Sequence, residues 1–368
     1  MRIMLAAGGT GGHVFPALAL ARELMRRAVD VVWVGRRDGL EANLARSHGC
    51  EFEPVPAAGL VGKSIRARLA WPGVFSAGVV RSIGLVSRWT PDAVVATGGY
   101  VAAAPLVAAR LAGRPFFLLE QNRVPGRVTR FFSAGARMCF FGFPPKGTAE
   151  CDFGRHVGTC DTNVVVTGNP LRPEMSTPAR HDDGKTVLVL GGSGGARALT
   201  LAALDTAAAL ANLHFIVLTG RRDFELARSM RRSSNCELVE FTDRPSELYA
   251  RATIAISRAG GMVLSELVAY GIPAILVPFP YAADRHQHAN AEYLESVGAA
   301  INLDQSRLSG LTSLTGELMS DTGRRHRMEQ ACRAVARPDA ASVIAENIIR
   351  AVNQQATAKT EELGCSAG

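Results

Sequence analysis

The stretch "IMLAAGGTGGHVFPALALARELM", Ile3 to Met25, breaks an apolar run with glycines and then resumes with helical spacing. A strand that empties into glycines before an amphipathic helix brings bare backbone N–H groups to the helix N-terminus, where anions bind. The same device recurs as "VLVLGGSGGARALTLAALDTA", Val187 to Ala207, with Gly191, Gly192, Ser193, Gly194 and Gly195 standing where Gly8, Gly9, Thr10, Gly11 and Gly12 stand in the first copy. A hydroxyl falls at the same point in both loops. Two matched loops of this kind point to phosphate binding rather than to tight turns alone.

Each copy is followed by a short β-rich run, "VDVVWVG" from Val29 and "LHFIVLTG" from Leu213. Further runs follow: "AVVATGG", "PFFLLEQN" and "NVVVTGNP", then "IAISRAGG" and "PAILVPFP". This alternation predicts an α/β protein built of βαβ units with parallel sheets. The Pro-rich polar stretch Asn169 to Thr186 reads as a linker. The expected division is a first Rossmann-like domain over 1–170, completed by a helix over 339–353 that starts at Asp339, and a second over 171–338, with a polar tail after it. Ligands of open α/β sheets lie beyond the carboxyl ends of the strands, so both glycine loops are expected to border one cleft.

Composition narrows the function. The 368 residues suit two domains, and 47% hydrophobic with 20% charged residues is the make-up of a folded protein. A net charge of +8 favours an anionic partner. Nucleic acid is disfavoured, because aromatics make up only 6% and there is no compact basic motif. Val14 breaks the dinucleotide fingerprint, Arg36 and Arg37 stand where a nicotinamide site wants an acid, and "GLVGKS" at Gly59 to Ser64 lacks the earlier P-loop glycine, having Ala57 there. Seven scattered cysteines without a C-x-x-C pair form neither a zinc set nor a disulfide framework, which suits a reducing compartment. The run before the first glycines is too short for a signal peptide, and the uncharged stretch Ala93 to Ala109 is interrupted by Gly98, Gly99 and Pro105.

In "SRAGGMVLSE", Ser257 to Glu266, the glycine and helix logic returns with a carboxylate added. Glu266 suits the vicinal diol of a ribose, the bland alternative being a solvated helix face; helix amides with Ser193 suit a diphosphate. "ADRHQHANAEYL", Ala283 to Leu294, sets His286 and Asn290 four apart on one helix face beside Gln287, and amides both donate to and accept from sugar hydroxyls. His286 and His288 point apart and have no accompanying carboxylate cluster, so neither a metal nor another cofactor is expected.

These segments, together with "ATGGYVAAAP", "EQNRVPG", "GNPLR", "GIPAILVPFP" and "DRHQHANA" in order, resemble the MurG family of glycosyltransferases over nearly the whole chain. The resemblance implies a GT-B-type fold of two Rossmann-like domains and inverting transfer of N-acetylglucosamine from UDP-N-acetylglucosamine to the C4 hydroxyl of a polyprenyl-diphosphate-linked muramyl-pentapeptide in peptidoglycan synthesis. It implies work at the cytoplasmic face of the bacterial inner membrane, as a peripheral protein. By the same resemblance Ser193 meets the donor diphosphate, Glu266 the ribose, Gln287 and Asn290 the glucosamine hydroxyls, and Arg172 the domain junction. Of the first domain, Thr10, His13, Tyr100 and Asn122 correspond to positions where acceptor and donor sugar meet, with Thr10, Gly11, Gly12 and Asn122 on UDP-N-acetylglucosamine and Gly9 and Tyr100 on the acceptor side. The chain departs from the family at Leu119, where a histidine is usual, at His286-Gln287, at Val263, and in the segment Pro144 to Asp161, which has no family counterpart.

Such a transfer needs a base for the acceptor hydroxyl and a stabiliser for departing UDP. Ser193, helix amides and Arg172 can stabilise the diphosphate without a metal. His13 is the expected base, against the alternative that it only hydrogen-bonds the loop or the acceptor's phosphates; Glu120 is the second candidate. Between Gly62 and Trp89 the chain mixes Lys63, Arg66, Arg68, Arg81 and Arg88 with Trp71, Phe75, Ile83, Leu85 and Trp89, a combination suited to an anionic membrane surface or to a helix packed on the sheet. The rival functions are another GT-B-type UDP-sugar transferase or a UDP-N-acetylglucosamine epimerase.

Overall fold

Arg2–Ala6 (β1) alternates its side chains between two buried faces, as a strand inside an α/β layer must. Ile3 and Leu5 join a core with Trp33, Phe117 and Phe140. Met4 and Ala6 join the opposite core with Val32, Val34 and Leu118. The computed structural model describes residues 1–59, 64–147, 163–176, 179–192, 195–230 and 233–365, with the backbone alone at 65–68, 163, 176, 356 and 358–365. The chain folds as two units: Met1–Gln121, Pro125–Arg172 and Asp339–Gly368 make the first, and Asn122–Val124 with Pro173–Pro338 make the second.

The first unit adds Asp30–Gly35 (β2), Glu51–Pro54 (β3), Ala93–Ala96 (β4), Phe116–Glu120 (β5), Met138–Phe141 (β6) and Asn163–Val166 (β7). All pair in parallel in the order β3-β2-β1-β4-β5-β6-β7. Helix Gly11–Arg26 covers one face through Val14, Leu20 and Leu24, and helix Ala340–Cys365 packs beside it through Ile344 and Ile348. Helix Ile65–Trp89 and helix Ala103–Leu111 cover the other face through Leu85 and Leu106. Each such side chain, fully buried, contributes about 1.5–3 kcal/mol. The final helix runs on to Cys365 rather than ending near 353, because its polar tail carries Gln, Ala and Glu, which favour helix.

The second unit repeats the plan with Thr186–Leu190 (β8), His214–Leu218 (β9), Cys236–Val239 (β10), Ile254–Ser257 (β11), Ala274–Leu276 (β12) and Ala300–Asn302 (β13). Its parallel order is β10-β9-β8-β11-β12-β13, the order of the first unit without a partner for β7. Val187, Val189, Phe215, Val217, Ile254 and Ile256 face one core with Leu199 and Leu204 of helix Arg197–Ala209. Parallel strands buried on both faces read as the continuous apolar runs seen in the sequence.

Candidate functional site

β1 delivers the first glycine loop to the N-terminus of helix Gly11–Arg26. Gly9 lies at φ +99, a conformation that favours glycine. Thr10 caps the helix in extended conformation without a side-chain capping bond, and the first turn carries no acid. The amides at this end and their dipole are therefore suited to an anion. Tyr100 accepts a hydrogen bond from Arg36 Nη1 at 3.2 Å, which raises the Arg36 pKa.

His13 stands in the first turn with its ring against Gly98 and Gly99. Its Nδ1 lies 2.8 Å from the Thr97 carbonyl and 3.0 Å from Gln121 Oε1, and the Thr97 hydroxyl donates back to the His13 carbonyl at 2.9 Å. A backbone carbonyl only accepts, so Nδ1 carries the hydrogen and Nε2 is the basic nitrogen of the neutral ring. Glu120 is differently placed. It is buried, and its Oε2 accepts from Gly126 N at 2.9 Å and Thr129 Oγ1 at 2.8 Å, holding the turn that follows β5. Arg172 lies with its guanidinium carbon 3.6 Å from the Phe15 ring centroid, its Nε buried and without a hydrogen bond.

In the second unit, Ser193 and Gly194 lie outside the described residues, while Gly192 and Gly195 lie at φ +83 and +76. Glu266 is no solvated helix face: it is buried in helix Gly261–Tyr270 and its Oε2 accepts from the Tyr249 hydroxyl at 2.7 Å. Burial, then the nearby Glu266 and Glu174 charges, push the Tyr270 hydroxyl up. Asn290 is buried, donates to Asn122 Oδ1 and the Ala259 carbonyl at 3.0 Å each, and accepts from Arg123 N at 3.0 Å. Both its N–H groups are thus engaged with protein, which leaves one acceptor position for a sugar hydroxyl. Asn122, counted with the first domain from sequence, belongs with the second unit through this contact. Gln287 Oε1 accepts from Phe279 N at 2.9 Å, and His286 Nδ1 lies 2.7 Å from the Ala283 carbonyl.

Residues that sequence reading did not single out hold the candidate side chains in place: Thr97, Gln121, Tyr249 and Arg123. Arg258 is buried, donates to the Val277 and Pro278 carbonyls at 3.0 and 3.3 Å and to Gln305 Oε1 at 2.6 Å, and burial lowers its pKa. Arg123 is also lowered by burial and sits 4.8 Å from the Tyr293 ring centroid. Among the described residues no group of three His, Cys, Asp or Glu side chains is placed to hold a metal ion.

The helix that carries the basic and apolar stretch has, over Leu69–Trp89, a mean hydropathy of 1.4 and the length to cross a membrane, with 22% of that window buried. Leu69 and Val80 are 76% and 70% exposed. Trp71 and Phe75 stack at 5.0 Å, and Trp71 Nε1 donates to the Ala58 carbonyl at 3.0 Å. Arg81 and Arg88 pair with the buried Glu53 at 2.7 and 3.0 Å, so these two cations fasten the helix to β3. Lys63, the side chains of Arg66 and Arg68, and most of the 144–161 segment lie outside the described residues.

The family model for the glycosyltransferase family 28 N-terminal domain matches residues 3–140, and that for the glycosyltransferase family 28 C-terminal domain matches residues 186–344. The chain belongs to glycosyltransferase family 28. Among family relatives it is 38% identical over 355 residues to the UDP-N-acetylglucosamine--N-acetylmuramyl-(pentapeptide) pyrophosphoryl-undecaprenol N-acetylglucosamine transferase of Methylococcus capsulatus, covering 94% of this chain and 97% of that one. The transferase of the same name from Salinibacter ruber is 36% identical, covering 96% and 98%. The crystal structure of Acinetobacter baumannii MurG is similar with a TM-score of 0.75 at 28% identity, covering 95% of this chain and 99% of that chain. A UDP-GlcNAc 2-epimerase from Neisseria meningitidis shares the two-sheet fold with a TM-score of 0.67 at 12% identity, covering 95% of this chain and 100% of that chain, a likeness of fold alone. Family 28 membership makes the chain a glycosyltransferase of GT-B architecture.

Proposed function

We propose that this glycosyltransferase moves N-acetylglucosamine from UDP-N-acetylglucosamine to the C4 hydroxyl of a polyprenyl-diphosphate-linked muramyl-pentapeptide, with inversion. The observation that carries the reading is the likeness, over nearly the whole length of both chains, to transferases bearing that name. The second unit takes the donor: amides of its glycine loop with Ser193 meet the diphosphate, and Glu266, oriented by Tyr249, accepts from the ribose hydroxyls. Gln287 and the remaining acceptor position of Asn290 meet the sugar.

The first unit takes the acceptor at Gly9 and Tyr100, while Thr10, Gly11 and Gly12 meet the donor sugar. His13 Nε2 removes the proton of the acceptor hydroxyl as its oxygen bonds to the sugar anomeric carbon and the bond to UDP breaks on the other face. Charge growing on UDP is met by the second glycine loop and Arg172. Support for His13 over Glu120 is its fixed tautomer, since Glu120 already holds a turn. Exposed Leu69 and Val80 support peripheral attachment to the cytoplasmic face of the inner membrane.

The test is transfer of labelled sugar from UDP-N-acetylglucosamine to a lipid-linked muramyl-pentapeptide analogue, with UDP-glucose and UDP-N-acetylgalactosamine as controls. Preferential transfer from the first donor is expected. Slow release of UDP with epimerised sugar and no transfer would overturn the proposal.

A further inference from the structure

The loop after the second strand of each unit carries a buried carboxylate that the proposed chemistry does not use. After β2, Glu41 lies in the first turn of helix Leu40–Ser47 with no solvent exposure and turns back beneath the first glycine loop. A Cβ on Gly8, on Gly35 or on Gly39 would collide with it. Its Oε1 accepts from Arg36 N at 2.9 Å, while Oε2 is buried with no hydrogen-bond partner. After β9, Asp223 directly precedes helix Phe224–Met230, is 6% exposed, and fills the space where a Cβ on Gly195 would stand. The Thr219 carbonyl closes the same space at 3.4 Å.

The strand orders make these equivalent stations, since β2 adjoins β1 as β9 adjoins β8. The carboxylates meet opposite ends of their loops, Gly8 being the first glycine of one and Gly195 the last of the other. Each also lies at the start of a helix, where negative charge is favoured. A buried carboxylate oxygen left unpaired, as Glu41 Oε2 is, is rare in a well-packed interior and calls for a structural reason.

We propose that Glu41 and Asp223 are positioning residues, one for each glycine loop, which fill the side-chain space at Gly8 and at Gly195 and so fix the backbone there. Neither touches substrate. The assignment of acceptor to the first loop and donor to the second rests on the function proposed above. It explains why Gly8 is glycine, which anion binding by backbone amides alone does not, and adds to the positive φ that already asks for glycine at Gly195.

The full-length protein and its Glu41→Ala, Glu41→Asp, Asp223→Ala and Asp223→Ser variants would be compared by steady-state kinetics in both substrates and by calorimetric titration with UDP. Asp223→Ala is expected to raise the UDP Kd and the donor KM about tenfold with the acceptor KM unchanged. Glu41→Ala is expected to raise the acceptor KM about tenfold with the UDP Kd unchanged. Where an alanine variant does not fold, Glu41→Asp and Asp223→Ser, which withdraw the carboxylate or shorten it to a hydroxyl, are expected to move the same constants about threefold. Unchanged constants in folded variants, or equal shifts in both substrates from either change, would overturn the proposal. A wild-type protein that binds UDP but transfers no sugar would count against the acceptor assignment, while the effect of Asp223 on UDP affinity would still decide the second loop.

Discussion

The two glycine loops are spelled almost alike, yet their surroundings give them different work. Both follow the first strand of a parallel sheet and precede a helix, and the proposed function gives each an anion to hold. In the first, an imidazole follows immediately, its ring fixed by Thr97 and Gln121. In the second, the matching position is the buried Ala196, and the reactive-looking group is Glu266 on a helix three strands later in the chain. On the proposed function, the repeated part of the pattern supplies binding, and the unrepeated residues supply the difference between an acceptor and a donor.

His13→Ala puts the greatest strain on that contrast. Loss of a general base lowers turnover by about two orders of magnitude or more. A fall in kcat with the donor KM unchanged would confirm the division, whereas a rise confined to the acceptor KM would make His13 a binding residue. Next in size is Glu266→Ala, which removes a charged acceptor; the donor KM and UDP Kd should rise about 10–100-fold while kcat at saturation stays near wild type. Tyr249→Phe tests the same carboxylate more gently. It leaves Glu266 in place without its 2.7 Å donor, and the donor KM should rise about threefold to tenfold. A comparable effect on the acceptor KM from either change would break the comparison.

Gln121→Ala is smaller again. The Thr97 carbonyl still fixes the Nδ1 hydrogen, so the ring keeps its tautomer and loses only one of two restraints. The expected result is a kcat about threefold to tenfold lower, with both KM values little changed.

How much of this was legible in the sequence follows from the range of each contact. The strands, the duplicated loops and the helix that carries Glu266 are local patterns of apolar runs, glycine and 3.6-residue spacing, so the two parallel sheets could be read directly. His13 and Glu266 stand out because each sits beside glycines. Their partners do not. Thr97 and Gln121 are 84 and 108 residues from His13, and Tyr249 is 17 from Glu266. Only packing brings them together. Asn122 lies inside the stretch read as the first domain but belongs to the second unit for the same reason, since its partner Asn290 is 168 residues away. Glu41 and Asp223 carry no local signal in the sequence, and only packing against Gly8 and Gly195 singles them out.

The last contrast concerns lipid. The first unit carries the long apolar helix, and its exposed Leu69 and Val80 are not needed to cover the sheet, which Leu85 and Val86 of the same helix do. Changing Leu69 or Val80 to Glu should therefore shift folding stability by no more than about 0.5 kcal/mol, as exposed positions usually do. Binding to vesicles rich in anionic lipid should weaken about threefold for each change, because an apolar side chain that enters the interface is replaced by a charge repelled from it. Turnover with a short-chain, water-soluble acceptor should be unaffected. Arg81 and Arg88 make the control: they are paired to Glu53, so removing either should loosen the helix and lower Tm more than it lowers vesicle affinity. If the arginine changes weakened vesicle binding more than the glutamates did, the membrane would be held by charge from this helix rather than by its apolar face.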